Sequence, residues 1–427
     1  MILIKDGMVC AEGGFTAADV VIEGREIAAV GEDGAAREAA GLGGAQVIDA
    51  SGCLVGPGLV DIHVHFREPG QTWKEDIESG SRAAAAGGFT AVVMMPNTSP
   101  VIDDPRAVRR ARERGEEVGL VEVAVAASMT AGGEGRQAAD LEALYGEGVR
   151  MFSDDGASVL DEDVLRPIME RVAGLAGAVV CQHAEDAAMT AGGHMHEGAV
   201  SARLGVGGLP TEAESSVVRR DLGLVRAIGA AYHCQHVSAA QTVELVRRAK
   251  AEGLPVTAEV TPHHLVFDDT ALGGLDTNLK MYPPIRAAAD RDALRDALAD
   301  ATIDIVATDH APHTAEEKAT TFELAPRGVI GLETAASAVR EAVGDPGRLF
   351  EVMSLAPALV AGLGRQGRPL AAGGPANVVV LAPDDTWAPR AFESRSSNSP
   401  FLGREMRGRV RATIYEGNIT WRLGDGG

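Results

Sequence analysis

The chain has 427 residues, enough for two or three domains at about 150 residues each, although single barrels of about 250 residues blur that division. Hydrophobic residues make up 45 % and charged residues 23 %, a globular mixture that excludes a mostly disordered chain. Lys and Arg number 39 against 61 Asp and Glu, so the net charge is −22, and no basic run exceeds two residues; this argues against nucleic acid or anionic membrane as a partner.

The first fifty residues read as short strands with Gly and Asp turns, in MILIKDGMVC, ADVVIEGREIAAVGE and AQVIDASGCLVGPG. The last fifty read alike, in ANVVVLAPDD and GRVRATIYEGNITWRL. Neither tail is large enough to bury a core alone. The expectation is one small β-sandwich domain built from residues 1–54 with 365–427, flanking a larger domain over 55–364. The opening residues are too mixed for a signal peptide, and no apolar stretch of about eighteen residues could span a membrane. Of the four cysteines, none forms a Cys-x-x-Cys pair and three lie in apolar runs. They read as reduced thiols of a cytoplasmic protein.

The middle alternates eight apolar runs with Ala/Arg/Glu-rich helical stretches. The runs are GLVDIHVHF, TAVVMMPN, VEVAVAAS, GVRMFSDD, GAVVCQHAE, AYHCQHVS, LPVTAEVTPHH and IDIVATDHAPH. Helices are predicted over 74–87, 104–117, 137–147, 161–174, 213–229, 239–253, 288–300 and 331–343. Near-continuous apolar strands separated by helices predict a parallel sheet covered on both faces. Eight units predict an α/β fold of the closed (β/α)8 TIM-barrel type rather than an open sheet. No Gly-x-Gly-x-x-Gly follows the first strand, which counts against a dinucleotide fold.

Polar residues close nearly every run. They are His63 and His65, Asn97, Asp154 and Asp155, His183, His236, His263 and His264, and Asp309 and His310. In a barrel those ends converge on the catalytic face. His63 and His65 stand at i and i+2, on one side of a strand, where two imidazoles can chelate one ion. His194-Met195-His196 has the same spacing but follows no apolar run, and reads as a loop. Four His and two Asp form a nitrogen and oxygen donor set suited to Zn²⁺ or a similar divalent ion. Six positions exceed one tetrahedral site and suit two ions sharing a carboxylate. Asp155 is the better bridge, with Asp154 as fallback.

These residues resemble a family. VGPGLVDIHVHFREPG, MMPNTSP, FSDDG, EVTPHHL, NLKMYPPIR and TDHAPHTAEEK are similar to segments of the amidohydrolase superfamily and, more narrowly, of bacterial class I dihydroorotases. The resemblance covers almost the whole chain. Hydantoinases and allantoinases usually carry a carboxylated lysine where Asp155-Gly156 stands here.

The resemblance implies two Zn²⁺ ions, with other divalent ions able to substitute. His63, His65 and Asp309 would hold one, His183 and His236 the other, and Asp155 would bridge them. It implies that Arg67, Asn97 and His313 hold a substrate carboxylate, that Asn278 meets the ring amide, and that the main chain near Arg327 and Gly328 meets the ring. The family more often has an aromatic residue at the Arg327 position. Asp309 would be the proton-transferring group. The implied reaction is reversible cyclisation of N-carbamoyl-L-aspartate to L-dihydroorotate plus water, in pyrimidine synthesis. The alternatives are a hydantoinase or allantoinase, or an inactive dihydroorotase-like scaffold for aspartate transcarbamoylase. A homodimer is the base-rate expectation, and a complex with aspartate transcarbamoylase is a further candidate partnership. The polar stretch 314–327 reads as a surface loop able to cover the site.

Overall fold

Strand β1 (Ile2–Ala11) collects both ends of the chain into one sheet. Its first half pairs in parallel with β4 (Gln46–Asp49) and its second half with β5 (Leu54–Pro57), the change of partner following a register shift between Ile4 and Gly7. On its other side lie β2 (Gly14–Glu23) and β3 (Glu26–Gly31), both antiparallel. The C-terminal strands β16 (Val378–Trp387), β17 (Met406–Tyr415) and β18 (Asn418–Arg422) join through β5, with Val378 opposite Pro57 and Leu381 opposite Leu54. The computed structural model describes residues 1–12, 14–31 and 44–424. Residues 13, 32–43 and 425–427 of the expected terminal domain lie outside the described residues. Ile4, Val9, Val20, Ile22, Val55, Val380 and Ile414 fill the core of this sheet, none more than 1 % exposed. The expected division between residues 54 and 55 falls inside β5.

Between the ends, each of the eight apolar runs carries one strand. These are β6 (Leu59–Val64), β7 (Phe89–Met94), β8 (Glu122–Val125), β9 (Met151–Phe152), β10 (Val179–Gln182), β13 (Tyr232–Cys234), β14 (Val256–Val260) and β15 (Ile305–Val306). All neighbours run parallel, as β6–β7–β8 and as β9–β10–β13–β14–β15. Isolated parallel bridges connect the two groups at Ala127 with Phe152 and at Val64 with His310. The period of two shows in the second half of β7: Ala91 and Val93, with Met95 just beyond the strand, enter one apolar cluster, Val92 and Met94 another.

Helices intervene where predicted, including Ile77–Ala86, Pro105–Val118, Glu162–Ala173, Glu212–Ile228, Ala240–Ala251, Ala288–Ala299 and Leu332–Val343. Their ends follow local chemistry. Asp76, Asp104 and Asp161 cap N-termini by accepting from backbone N–H groups, and Pro105 occupies the first turn where no N–H is needed. Two segments differ from their reading as plain loops. Met195–His196 (β11) pairs with Gly208–Leu209 (β12), because Gly193 and Gly207 permit close backbone approach. Ala315–Lys318 forms a helical turn closed by a Thr314–Glu317 capping box. Among the described residues, no helix is long and apolar enough to cross a membrane.

Because Ile414 is fully buried in the sheet that both chain ends build, Ile414→Ala is expected to lower unfolding stability by about 2–5 kcal/mol. A urea midpoint unchanged from the parent chain would contradict this packing.

Candidate active site

The six expected metal-ligand residues come from the ends of five strands and meet in one buried cluster. His63 sits in β6 and His65 just beyond it; Asp155, His183, His236 and Asp309 follow β9, β10, β13 and β15. All six are buried. Asp155 is the centre. One of its oxygens lies 3.2 Å from His63 Nε2, 3.8 Å from His183 Nδ1 and 3.7 Å from His236 Nε2, and the other lies 3.5 Å from His65 Nε2. Two groups of three therefore share it: His63, His65 and Asp155, and Asp155, His183 and His236, with donor atoms of each group within 4.8 Å of one another. Asp309 stands beside the first group, its Oδ1 2.9 Å from His65 Nε2 and 3.8 Å from His63 Nε2.

Position decides between the two adjacent aspartates. Asp154 spends its carboxylate on Ser128 Oγ at 2.6 Å, on the Thr130 N–H at 3.0 Å and on the Thr130 hydroxyl. Asp155 is left facing the imidazoles. Gly156 turns the chain at φ +85°, a left-handed value that a side chain would strain.

The outer nitrogens of the first histidine pair are fixed. His63 Nδ1–H donates to Glu259 Oε1 at 2.6 Å, and His65 Nδ1–H donates to Asn97 Oδ1 at 2.9 Å. Each ring therefore presents Nε2 to the centre, the arrangement that orients imidazole ligands of metals. His63 Nε2 and Asp155 Oδ1 are buried and make no hydrogen bond. Two unsatisfied buried atoms facing each other among imidazoles and carboxylates fit divalent cations, which would satisfy both.

Glu259, in β14, was not anticipated. Its Oε2 also accepts from His233 Nε2 at 3.1 Å and its Oε1 from the His236 N–H at 3.2 Å. Burial alone would raise its pKa, but His63 and His233 hold the carboxyl well below the usual range. The only sequence signal is a carboxylate inside the apolar run VTAEV. Gln235 is a second missed neighbour, with Nε2 3.3 Å from His63 Nδ1.

Backbone conformation at two site residues is unusual. His236 has φ 30° and Asp309 φ 48°, a region costing about 1–3 kcal/mol for residues with a Cβ unless the surroundings enforce it. Here the His236 N–H is bound by Glu259, and residues flanking Asp309 are tied down by Thr308 N–H to Asp61 and His310 N–H to Thr308 Oγ1 at 3.1 Å. Burial would raise the Asp309 carboxyl, yet His65 and His63 pull it below the ordinary carboxylate range.

A cavity of about 220 Å³ opens on this cluster. Arg67, Asn97, Tyr282, His313, Arg327 and Gly328 line it together with the cluster residues. Arg67 Nε is buried without a partner, and burial lowers its pKa while Asp309 and Asp155 oppose that. Asn97 uses its amide to bracket His65 and Asp155, its Nδ2 lying 3.2 Å from Asp155 Oδ2. His313 Nε2 meets the Arg327 carbonyl at 2.9 Å. The Arg327 guanidinium stacks 4.0 Å from the centre of the Tyr282 ring, so the side chain at this position belongs to the wall. Asn278 is not among the residues lining this cavity; it lies in the short turn Thr277–Leu279 with its N–H on Asp276. His263 and His264 join neither group of metal-binding type among the described residues: His264 bonds to Thr261 and to the Pro284 carbonyl. His194 and His196 also lie outside both groups.

The segment 314–328 is anchored by two buried lysines. Lys280 Nζ donates to the carbonyls of Phe322, Glu323 and Ala325 at 2.6–2.9 Å, while Lys318 Nζ donates back to those of Thr277, Lys280 and Pro326 at 2.9–3.3 Å. The Gly328 N–H, at φ +128°, donates to the Lys280 carbonyl at 3.0 Å.

Comparison with known proteins agrees with this geometry. Residues 52–242 match the dihydro-orotase-like family model. The chain is 45 % identical over 415 residues to a dihydroorotase of Mycobacterium bovis, covering 95 % of each chain. It is 44 % identical over 418 residues to a dihydroorotase of Streptomyces coelicolor, covering 94 % of this chain and 96 % of the relative. In fold it is similar to a D-hydantoinase from Thermus sp., with a TM-score of 0.84 at 24 % identity over 100 % of this chain and 97 % of that one. An L-hydantoinase from Arthrobacter aurescens gives a TM-score of 0.83 at 24 % identity, covering 98 % and 95 %. The mixed α/β fold is thus shared with the hydantoinase-type amidohydrolases, and the identity to its relatives over nearly its whole length places this chain in the dihydroorotase family.

Proposed function

We propose that this chain interconverts N-carbamoyl-L-aspartate and L-dihydroorotate plus water, the ring-forming step of pyrimidine synthesis. One observation carries the reading: a single buried carboxylate, Asp155, is shared by two histidine pairs at the floor of a cavity that also holds Arg67. We read the eight parallel strands as a closed (β/α)8 barrel over 55–364, with a β-sandwich domain from 1–54 and 365–427. The bridges at Val64–His310 and Ala127–Phe152 support that closure.

His63, His65 and Asp309 would hold one divalent ion, His183 and His236 a second, with Asp155 between them. Zn²⁺ suits this donor set, and Mn²⁺ or Co²⁺ would accept it. When bound, such ions supply Lewis-acid polarisation and a water acidic enough to ionise near neutral pH.

The chain's own residues do the rest. The Arg67 fork binds the ring carboxylate and fixes the substrate's orientation. The Tyr282–Arg327 stack and the main chain at Gly328 form the wall against the ring. In hydrolysis Asp309 accepts a proton from the attacking water and returns it to the ring nitrogen as the C–N bond breaks. In cyclisation it accepts the ureido proton instead. Its Oδ1 lies 2.9 Å from His65 Nε2, and the residue lines the cavity.

Asp309→Asn is expected to keep the fold and lower turnover of dihydroorotate about 10²–10⁴-fold. Near-normal activity of that variant would remove Asp309 from the proton-transfer role. Glu259 never touches the cavity, so its effect is read on metal rather than on chemistry. Titration of metal-stripped Glu259→Gln with Zn²⁺ should show affinity lower by about 10–100-fold, and affinity equal to the parent would refute the orienting role. A panel comparing dihydroorotate with hydantoin and allantoin tests the reaction itself: preference for a ring without a carboxylate would overturn the substrate assignment.

A further inference from the structure

Lys74 lies just before the helix Ile77–Ala86 and is only 7 % exposed. Its backbone is pinned, since the Lys74 carbonyl accepts from Ser396 Oγ at 2.8 Å and the next residue, Glu75, is bound by the Arg395 N–H at 3.1 Å and by the Ser394 hydroxyl. Its ammonium reaches two groups, Glu317 Oε1 at 2.9 Å and His313 Nδ1 at 3.4 Å.

His313 Nδ1 lies 3.4 Å from the Lys74 ammonium, which can only donate, and 3.5 Å from Glu317 Oε2, so in the neutral ring Nδ1 presents its lone pair to Lys74. The proton then sits on Nε2, which donates to the Arg327 carbonyl at 2.9 Å. The His313 backbone N–H is also engaged, on Asn398 Oδ1 at 3.1 Å. The imidazole is therefore held as one neutral tautomer. Burial, with Arg67, Lys74 and Lys318 nearby, keeps its pKa down at about 3. A neutral His313 cannot supply the positive charge expected at the carboxylate end of the cavity. Arg67, which lines the cavity, and Lys74, which is paired with Glu317 Oε1 at 2.9 Å, are cations beside His313, together with Lys318.

We propose that Lys74 is a positioning and specificity-determining residue: it fixes the tautomer of His313 and provides, behind it, a second fixed positive charge for the ring carboxylate. Glu317 ties that lysine to the turn Ala315–Lys318. The proposal rests on the dihydroorotate reading above, and the experiment separates the two.

The metal-loaded parent, Lys74→Met, Lys74→Arg and Glu317→Gln are compared by kcat and KM for dihydroorotate. The parent and Lys74→Met are also compared by the ¹⁵N spectrum of the His313 ring. Lys74→Met should raise KM about tenfold or more, the cost of one charge-assisted contact, with kcat within about threefold of the parent. Its His313 spectrum should pass from one tautomer to a mixture. Lys74→Arg should recover most of the KM. Glu317→Gln, which keeps the lysine and frees its charge, should not raise KM. An unchanged KM together with an unchanged His313 spectrum in Lys74→Met overturns the proposal. So does a rise in KM in Glu317→Gln equal to that in Lys74→Met, since the lysine would then act only by anchoring the turn. If Lys74→Met does not fold, Lys74→Arg and Glu317→Gln decide on KM alone. A parent enzyme that does not turn over dihydroorotate defeats the functional reading, while the His313 spectrum still tests the tautomer.

Discussion

Asp155 is a carboxylate enclosed by four imidazoles at 3.2–3.8 Å, and the rest of the site is arranged around that fact. A buried charge without partners costs several kcal/mol. The partners here come from β6, β10 and β13, which only a parallel arrangement can bring to one end together. The compensation continues outward as an alternation of acid and base: Asp155 to His63, His63 to Glu259, Glu259 to His233, and His233 to the Thr257 hydroxyl at 2.8 Å. Each buried group has its neighbour as counterpart, so removing one exposes the cost of the next. That dependence explains why Glu259, outside the cavity, belongs to the same unit as the residues that line it.

The pattern at the strand ends was legible because two periodicities meet there. Apolar runs mark the strands, and the first polar residues after them mark the converging face. This reading found His63, His65, Asp155, His183, His236 and Asp309, and the structure brings all six together. The helices were legible from their Ala/Arg/Glu-rich stretches, and the structure shows Asp76, Asp104 and Asp161 capping three of them. Glu259 and Gln235 were not legible, because a single polar residue within an apolar run has no spacing that distinguishes a partner from a packing fault. Lys74, Lys280 and Lys318 lie in polar stretches where a lysine is ordinarily solvated. Only the fold shows that each is 7 % exposed or less. Asn278, matched to a family motif, lies in the short turn Thr277–Leu279 and is not among the residues lining the cavity.

The overall acidity of the chain and the charge of its cavity are separate matters. Most acidic residues face solvent, where ionic screening limits their reach to about 10 Å at moderate salt. Inside, Arg67 has a buried, unpartnered Nε and Lys74 is set behind a neutral imidazole. Charges in such a place act over short distances and with little screening. A net charge of −22 therefore does not oppose an anionic substrate at the point where it binds.

The adjacent pair Asp154 and Asp155 shows how little sequence separates structure from chemistry. The two residues are adjacent and identical in kind, and their surroundings separate their roles. Ser128 and Thr130 take up the first carboxylate, which anchors the end of β9 against the end of β8. The second meets the imidazoles instead, with the Asn97 amide as a further hydrogen-bond donor to it. Gly156 then turns away at a backbone angle that a larger residue would resist, with Asn97 Nδ2 3.3 Å from where a Cβ would stand. The first aspartate thus holds the turn that aims the second, and the site depends on both although only one faces it.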